Sequence, residues 1–189
     1  MINDYTGLKA SISRWLHRSD LVNVVPDLIM LAEVRFNRNL RVRQMEKSET
    51  LVLTDGAASL PADWIEFVGS PMDGDRPLQF VPRDKWQNYR QYGCYYTIMG
   101  SQIYVSDGPT SITADYYAKM PSLSDQAATN WLLADGPDAY LYGALLESAP
   151  YIKDDPRVET WRGLLQVALT DLQAASDRAK YSGGSLVVM

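Results

Sequence analysis

The last third of the chain reads as a helical hairpin, Asp135–Lys180, and the second arm of this hairpin constrains the fold most strongly. Its apolar and small residues recur at alternating spacings of three and four, the a/d pattern of a helix that packs lengthwise on other helices. The residues of this seam are Val158, Trp161, Leu165, Ala168, Leu172, Ala175 and Ala179. The seam predicts one helix from Pro156 to Lys180, about 38 Å long at about 1.5 Å per residue.

Proline marks the start of each arm. Pro137 follows Gly136, and Pro156 follows Asp155, a residue type that caps helices well. Proline suits the first helical position because its φ is preset and its missing amide leaves no donor unpaired. Two interpretations of the long helix stay open: it packs within its own chain, or its seam residues Trp161, Leu165 and Leu172 face a neighbouring subunit.

Size and charge narrow the function classes. A chain of 189 residues with 46% hydrophobic residues favours one domain, or two lobes that share a core. The net charge of −5 argues against free-standing sequence-specific DNA binding, for which a basic domain is expected. It is compatible with surrounding DNA without gripping it, since an acidic or neutral lining captures few phosphates.

The single cysteine and the single histidine, Cys94 and His17, exclude an intramolecular disulfide, multi-cysteine metal sites and paired-histidine metal motifs. We expect Cys94 to pack as a small hydrophobe. The opening residues lack a signal-peptide pattern, and no apolar run approaches the length of a membrane span. We therefore expect folding in a cytoplasm and no membrane association.

The first 48 residues predict two helices. One runs from residue 6 to 17, with Thr6 as its cap, and the other from about Pro26 to Arg43. On the second helix the side chains of Arg35, Arg38 and Arg41 form a stripe opposite the apolar face. This stripe is either a solvated basic face or a docking surface for an acidic partner or for phosphates.

Residues 49–121 change to a strand-forming pattern. Residues 50–54 and 58–60 flank an Asp55-Gly56 turn and predict a hairpin. A short helix over 82–92 precedes three strands at 95–99, 102–106 and 111–118, the last with clean alternation. The acidic loop 71–77 lacks the later ligands of a calcium loop, so we predict no metal there.

These patterns together predict an α+β fold that is mainly helical. Residues 1–48 and 122–180 form one helical domain, built from an N-terminal helix pair and the long C-terminal hairpin. Residues 49–121 form a small antiparallel β-rich insertion. Residues 181–189 form a flexible tail with an apolar tip, Leu186, Val187 and Val188. We expect the tip either to fold back as an edge strand or to insert into a partner by strand addition.

Sequence signatures of catalysis are missing. There is no phosphate-binding glycine loop and no nucleophile elbow, so we predict no catalytic, cofactor-binding or metal-ligating residue. Asp63, Glu66 and Glu147 keep a polymer-degrading hydrolase open as one alternative. The 12 tyrosines and five tryptophans suit protein interfaces as well as a core, which leaves a helical peptide-binding module without a virion role as another.

The order of elements and several short motifs resemble the head-to-tail adaptor (connector) proteins of tailed bacteriophages. The resemblance spans about residues 5 to 182. The segments that carry it are Asp20-Leu21, Pro26-Asp27-Leu28-Ile29, Leu31-Ala32-Glu33, Arg38 and Leu40-Arg41; then Leu60-Pro61-Ala62-Asp63-Trp64; then residues 116–124, 129–133 and 137–145.

The resemblance implies a structural virion protein, made in the host cytoplasm and located in the neck of the particle. Members of the family form a ring, typically of twelve copies, that binds the portal protein on one side and tail or nozzle components on the other. The genome passes through the ring, and no catalytic residue is needed. Individual contact residues do not follow from the resemblance, because the family's interfaces are not marked by short motifs.

Overall fold

A computed structural model describes residues 2–18, 20–106, 108–152 and 155–182, with Tyr181 described by its backbone alone. The chain divides into a helical unit, Met1–Gln44 with Met120–Met189, and a β unit, Met45–Lys119. The predicted α+β class is confirmed. In chain order the elements are α1 (Tyr5–Leu16), α2 (Val25–Asn39), a 3-10 turn (Arg43–Met45), β1 (Glu46–Val52), β2 (Ala57–Ser59), β3 (Trp64–Phe67), β4 (Met72–Asp73), β5 (Arg76–Pro77), β6 (Gln79–Phe80), α3 (Trp86–Tyr89), β7 (Tyr95–Met99), β8 (Gln102–Val105), β9 (Ser111–Ala118), α4 (Trp131–Asp135), α5 (Pro137–Glu147), α6 (Ala149–Ile152) and α7 (Arg157–Tyr181).

Helix α5 is the centre of the helical unit. Its residues are apolar almost all round, which is the composition of a helix with no solvent face. Ala139, Tyr140, Ala144 and Leu145 are fully buried. Helices α1, α2 and α7 pack against it, so the three outer helices share one core.

The contact between α2 and α5 depends on a glycine. A β-carbon on Gly143 would lie 2.7 Å from Cζ of Phe36 and 3.3 Å from Cβ of Ala32. The absence of that atom lets the Phe36 ring reach the α5 backbone and meet Tyr140 edge to face, with ring centroids 5.5 Å apart.

Helix α7 follows the predicted seam only to Leu172. Trp161, Leu165 and Ala168 are buried, but the next buried residue is Ser176, whereas Ala175 and Ala179 are exposed. A straight helix has 3.6 residues per turn and drifts out of a strict seven-residue repeat. The prediction was therefore wrong for the last two turns, where the Ser176 hydroxyl oxygen accepts the Arg43 N–H at 2.9 Å.

Two helix ends differ from the sequence prediction. Helix α2 ends at Asn39 instead of Arg43, because Leu40 is extended and the Arg41 guanidinium donates to the carbonyls of Asn37 and Leu40, at 3.0 and 2.6 Å. Helix α1 begins at Tyr5 because Asp4, not Thr6, is its cap and accepts the Gly7 N–H at 2.6 Å.

The β unit consists of two sheets that share one core. One sheet has the order β1-β9-β4-β5, with β3 also paired to β9, and the other has the order β2-β8-β7-β6. The alternation predicted for β9 is confirmed, since Ile112, Ala114, Tyr116 and Ala118 are buried, two of the residues between them are exposed and the third, Tyr117, is half-buried. Half-buried Cys94 packs against this core, as predicted.

Two local predictions in the β unit were wrong. Strand β1 pairs along its length with β9, and β2 pairs with β8, so only one bridge, Thr54 to Ala57, remains of the predicted hairpin. The helix predicted over 82–92 is reduced to Trp86–Tyr89. Strand pairing depends on strands that are distant in the sequence. The local sequence pattern therefore gives no sign of either difference.

Candidate protein-interaction surfaces

The three arginines predicted to form one stripe have different environments. Arg35 on α2 reaches Glu147 on α5, with 2.7 Å from Nε to Oε1 and 2.5 Å from Nη2 to the same oxygen. The Glu147 side chain is only 17% exposed, so this pair ties α2 to the central helix. Arg41 lies beyond the end of α2 and closes it, whereas Arg38 is exposed. The three arginines therefore do not form a continuous basic stripe. Of the three, only Arg38 remains a candidate docking residue.

The seam residues proposed to face a neighbour lie mostly inside the helical unit. Trp161 is 2% exposed and Leu165 is 4% exposed, so neither side chain can meet a second subunit. This corrects the interface interpretation of those two residues. Leu172 is half-buried beside Gly136, where an added β-carbon would lie 3.0 Å from the leucine Cδ1. The tail residues Leu186, Val187 and Val188 lie outside the described residues.

The outer face of α2 carries apolar side chains that the sequence analysis missed. Met30 is 54% exposed, Leu31 44% and Val34 38%. Leu31 and Val34 lie on consecutive turns between exposed Asp27 and exposed Arg38. We call Asp27, Leu31, Val34 and Arg38 the α2 face.

The outer side of α7 has a similar surface. Leu164 is 38% exposed and Val167 58% exposed. They lie between Thr160 and Asp171, both exposed. We call Thr160, Leu164, Val167 and Asp171 the α7 face. Its signal in the sequence is a second seam, offset by one residue from the buried one.

A third exposed surface belongs to the β unit and is aromatic. Tyr92 is 64% exposed and Tyr89 38%, and the Tyr89 ring lies 5.0 Å from the Tyr95 ring. Phe80 is 57% exposed but contacts Tyr96, on the opposite face of the same strand, so it is not part of this surface. Tyrosine is enriched at protein interfaces because it buries a large area and keeps a polar group. This surface is accordingly a candidate site for a protein partner.

The carboxylates considered for acid–base chemistry are engaged in other interactions. Asp63 accepts a hydrogen bond from Lys47 at 2.5 Å, and its other oxygen lies 3.1 Å from the Tyr116 hydroxyl. Burial raises the pKa of Asp63, but the hydrogen bonds from Lys47 and Tyr116 outweigh it, and the net pKa is lowered. A general acid needs the opposite shift. Glu147 is held by Arg35, and exposed Glu66 lies on β3.

One buried carboxylate on α2 contacts α5. Glu33, 3% exposed, accepts the Leu123 N–H at 2.8 Å and the Tyr140 O–H at 3.0 Å. Burial raises the pKa of Glu33 despite these hydrogen bonds. Asn130 donates to the Tyr140 hydroxyl oxygen at 2.6 Å and caps α4 through Leu133 N–H. We define Glu33, Asn130 and Tyr140 as the buried polar cluster, which joins α2, α4 and α5 to the 120–130 segment.

Two searches of the described residues bear on other functions. No cluster of three or more His, Cys, Asp or Glu side chains there could hold a metal ion. None of the helices in the described ranges combines the length and the apolar stretch that crossing a bilayer requires.

The family is decided by a comparison of the whole chain. A family model described as SU10 adaptor protein matches residues 3–188. The chain belongs to the SU10 adaptor protein family. This is a family of phage head-to-tail adaptors, so the resemblance inferred from the short motifs is confirmed. A search of curated proteins gave no match.

Membership of a structural phage family suggests what the three exposed surfaces are for. An adaptor acts by contacting other proteins. Its exposed apolar and aromatic side chains are then candidate contacts, and its carboxylates need no catalytic role. The α2 face and the α7 face both belong to the helical unit, and the aromatic surface belongs to the β unit.

Proposed function

We propose that the chain forms the ring that joins the portal of a tailed phage to its tail and surrounds the DNA exit channel. The observation that carries this proposal is the match of the adaptor family over residues 3–188, nearly the whole chain. The ring contains twelve copies, with the portal protein on one side and tail or nozzle components on the other.

The exposed surfaces support a role in assembly. Contiguous apolar patches on the surface of a soluble protein often mark sites that bind another protein. The helical unit has two such patches, and the β unit has the aromatic surface. A ring subunit needs surfaces of this kind because it contacts two neighbours as well as the components above and below it.

The charge of the chain supports passage of DNA through the ring. Proteins that grip duplex DNA neutralise phosphates with clustered Lys and Arg, and the released counterions supply affinity. The net charge here is −5, and two of the three arginines near the end of α2 are engaged within the fold. Double-stranded DNA would therefore be near the protein without being held by it.

The adaptor acts in the virion, after synthesis in the host cytoplasm, with proteins and no membrane as partners. The apolar tip Leu186, Val187 and Val188 is suited to insertion into one of these proteins by strand addition. The role needs binding surfaces and no bond-making. The lowered pKa of Asp63 gives no support to the hydrolase alternative.

The test is complementation of a phage whose own copy of this protein is disrupted. Without the protein we expect DNA-filled or leaking heads and free tails in electron micrographs, and with it joined particles that contain about a dozen copies by quantitative mass spectrometry. Asp63→Asn is the control variant, because it removes a carboxylate that the hydrolase alternative would use. We expect this variant to restore joined particles. Joined particles without the protein, or loss of function specific to Asp63→Asn in a stably folded chain, would contradict the proposal.

A further inference from the structure

We propose that neighbouring copies of this chain join head to tail, with the α2 face of one copy packed against the α7 face of the next. The inference rests on the proposed ring function and names the surfaces that would build the ring. Both faces belong to the helical unit, and both are exposed in the single chain.

The two faces have the same spacing. Residues 27, 31, 34 and 38 on α2 are separated by four, three and four positions, and so are residues 160, 164, 167 and 171 on α7. Spacings of this kind place side chains along one seam of a helix, where they can insert between the side chains of a facing helix. The first seam therefore fits the second without a change of register.

Parallel packing in this register places apolar side chains opposite apolar side chains, and a positive charge opposite a negative one. Leu31 would meet Leu164, and Val34 would meet Val167, covering four exposed apolar side chains. Arg38 at one end would meet Asp171, both exposed in the single chain. The charge pair fixes direction, because antiparallel packing of the same faces would place Arg38 beside Thr160 and Asp27 beside Asp171.

The positions of the two helices favour a heterologous contact. Helix α2 covers the side of α5 that carries Tyr140, Gly143 and Glu147. Helix α7 also packs along α5, through its own buried stripe of Trp161 and Leu165. Each copy thus presents two different faces, and a contact between unlike faces leaves one of each free for the next copy. Contacts of this type close into a ring when the rotation from one copy to the next divides a full turn evenly.

A second pairing is also possible on the α2 face alone. Two copies of α2 in antiparallel orientation would place Leu31 opposite Val34 and Asp27 opposite Arg38. That contact would give a closed dimer and would leave Leu164 and Val167 uncovered. Head-to-tail packing covers both apolar faces, so the observations favour it, and the antiparallel dimer becomes an outcome of the test.

The decisive experiment is disulfide cross-linking in assembled particles. The full chain carries Cys94→Ser with Leu31→Cys and Leu164→Cys together, or with either change alone, and particles are mildly oxidised. We expect the paired variant to give a ladder of covalent multimers on a non-reducing gel, and each single variant to stay monomeric. Facing positions across packed helices are close enough for a disulfide, which needs Cα atoms less than about 7 Å apart.

Three results would separate the possibilities. In the antiparallel α2 pair Leu31 faces Val34, so dimers from a chain with Leu31→Cys and Val34→Cys would overturn the proposal in favour of that pair. Monomers from the variant with Leu31→Cys and Leu164→Cys, in particles that contain the chain, would also overturn it. Absence of the wild-type chain from particles would refute the ring function instead, so the two failures are distinguishable.

Charge exchange gives an independent readout. We expect Arg38→Asp and Asp171→Arg each to lower the yield of joined particles by about tenfold or more, because like charges would then meet at the interface. The two changes together should restore the yield. Rescue of Arg38→Asp by Asp27→Arg, and no effect of Asp171→Arg, would overturn the proposal.

Discussion

Gly143 on α5 and Phe36 on α2 are in such close contact that a β-carbon on the glycine would lie 2.7 Å from the ring. Gly143→Ala should therefore destabilise the fold. Overpacking of this kind costs about 1–3 kcal/mol, and the better helix propensity of alanine returns about 1 kcal/mol. We expect a net loss of about 1 kcal/mol in the free energy of unfolding, measured by urea titration.

Gly163 on α7 is the matched control. A β-carbon there would meet nothing within 4 Å. Gly163→Ala should then gain about 0.5–1 kcal/mol from helix propensity alone. If both alanine variants were equally stabilised, close packing of α2 on α5 through Gly143 would be wrong.

The buried carboxyl of Glu33 should make stability depend on pH. Burial raises the pKa of Glu33, so the folded protein holds this proton to a higher pH than the unfolded chain does. The contribution of protonated Glu33 to folding stability is fully present below the pKa that Glu33 has in the unfolded chain. It is lost as pH rises through the higher pKa that Glu33 has in the folded protein. Relative to Glu33→Gln, the wild type should lose stability between mildly acidic and neutral pH, as measured by Tm across this range. Glu159→Gln changes an exposed carboxylate, and its Tm should depend on pH as that of the wild type does. If the Tm of Glu33→Gln also showed the same pH dependence as the wild type, Glu33 would not be its cause.

The pair of Arg35 and Glu147 should couple α2 to α5 energetically. Arg35 is 42% exposed, so solvent screens the interaction. A double-mutant cycle with Arg35→Ala and Glu147→Ala should give a coupling of about 0.5–1 kcal/mol in unfolding free energy. Arg38→Ala should change stability by less than about 0.5 kcal/mol. Equal effects of Arg35→Ala and Arg38→Ala, with no coupling to Glu147, would show that the two arginines are alike.

Asn130 should matter more than an ordinary helix cap. It caps α4 at Leu133 N–H and also donates to the Tyr140 hydroxyl and the Pro121 carbonyl. Asn130→Ala loses the cap, worth about 1 kcal/mol, and removes the hydrogen bond to the buried Tyr140 hydroxyl oxygen, at about 1 kcal/mol more. Asp4→Ala, which removes the exposed cap of α1 alone, should cost about 1 kcal/mol. Similar losses from both substitutions, measured by urea unfolding, would rule out a larger role for the buried polar cluster.

The sequence predicts those elements that depend on their own residues. The alternation of β9 and the Gly100-Ser101 turn between β7 and β8 both appear in the structure. The prolines at the start of α5 and α7 place those helices within one residue of the prediction. In each case a short-range rule, periodicity or preset φ, decides the outcome.

The features that the sequence does not predict depend on distant partners. Strand β1 pairs with β9, whose paired residues are 59 to 71 positions away, instead of with its neighbour β2. Arg35 leaves its expected stripe because Glu147 lies within reach in the folded chain. The buried end of the α7 seam moves to Ser176 because a straight helix drifts from the heptad. The outer seams on α2 and α7 are present in the sequence but are masked by the stronger inner pattern.

Cryo-electron microscopy of the portal vertex tests the central claim most directly. We expect this chain as a single ring between portal and tail, with about one copy for each portal subunit, and with the DNA channel along the ring axis. Density for the chain elsewhere in the particle, or a portal bound directly to the tail with no copy of the chain between them, would contradict the account.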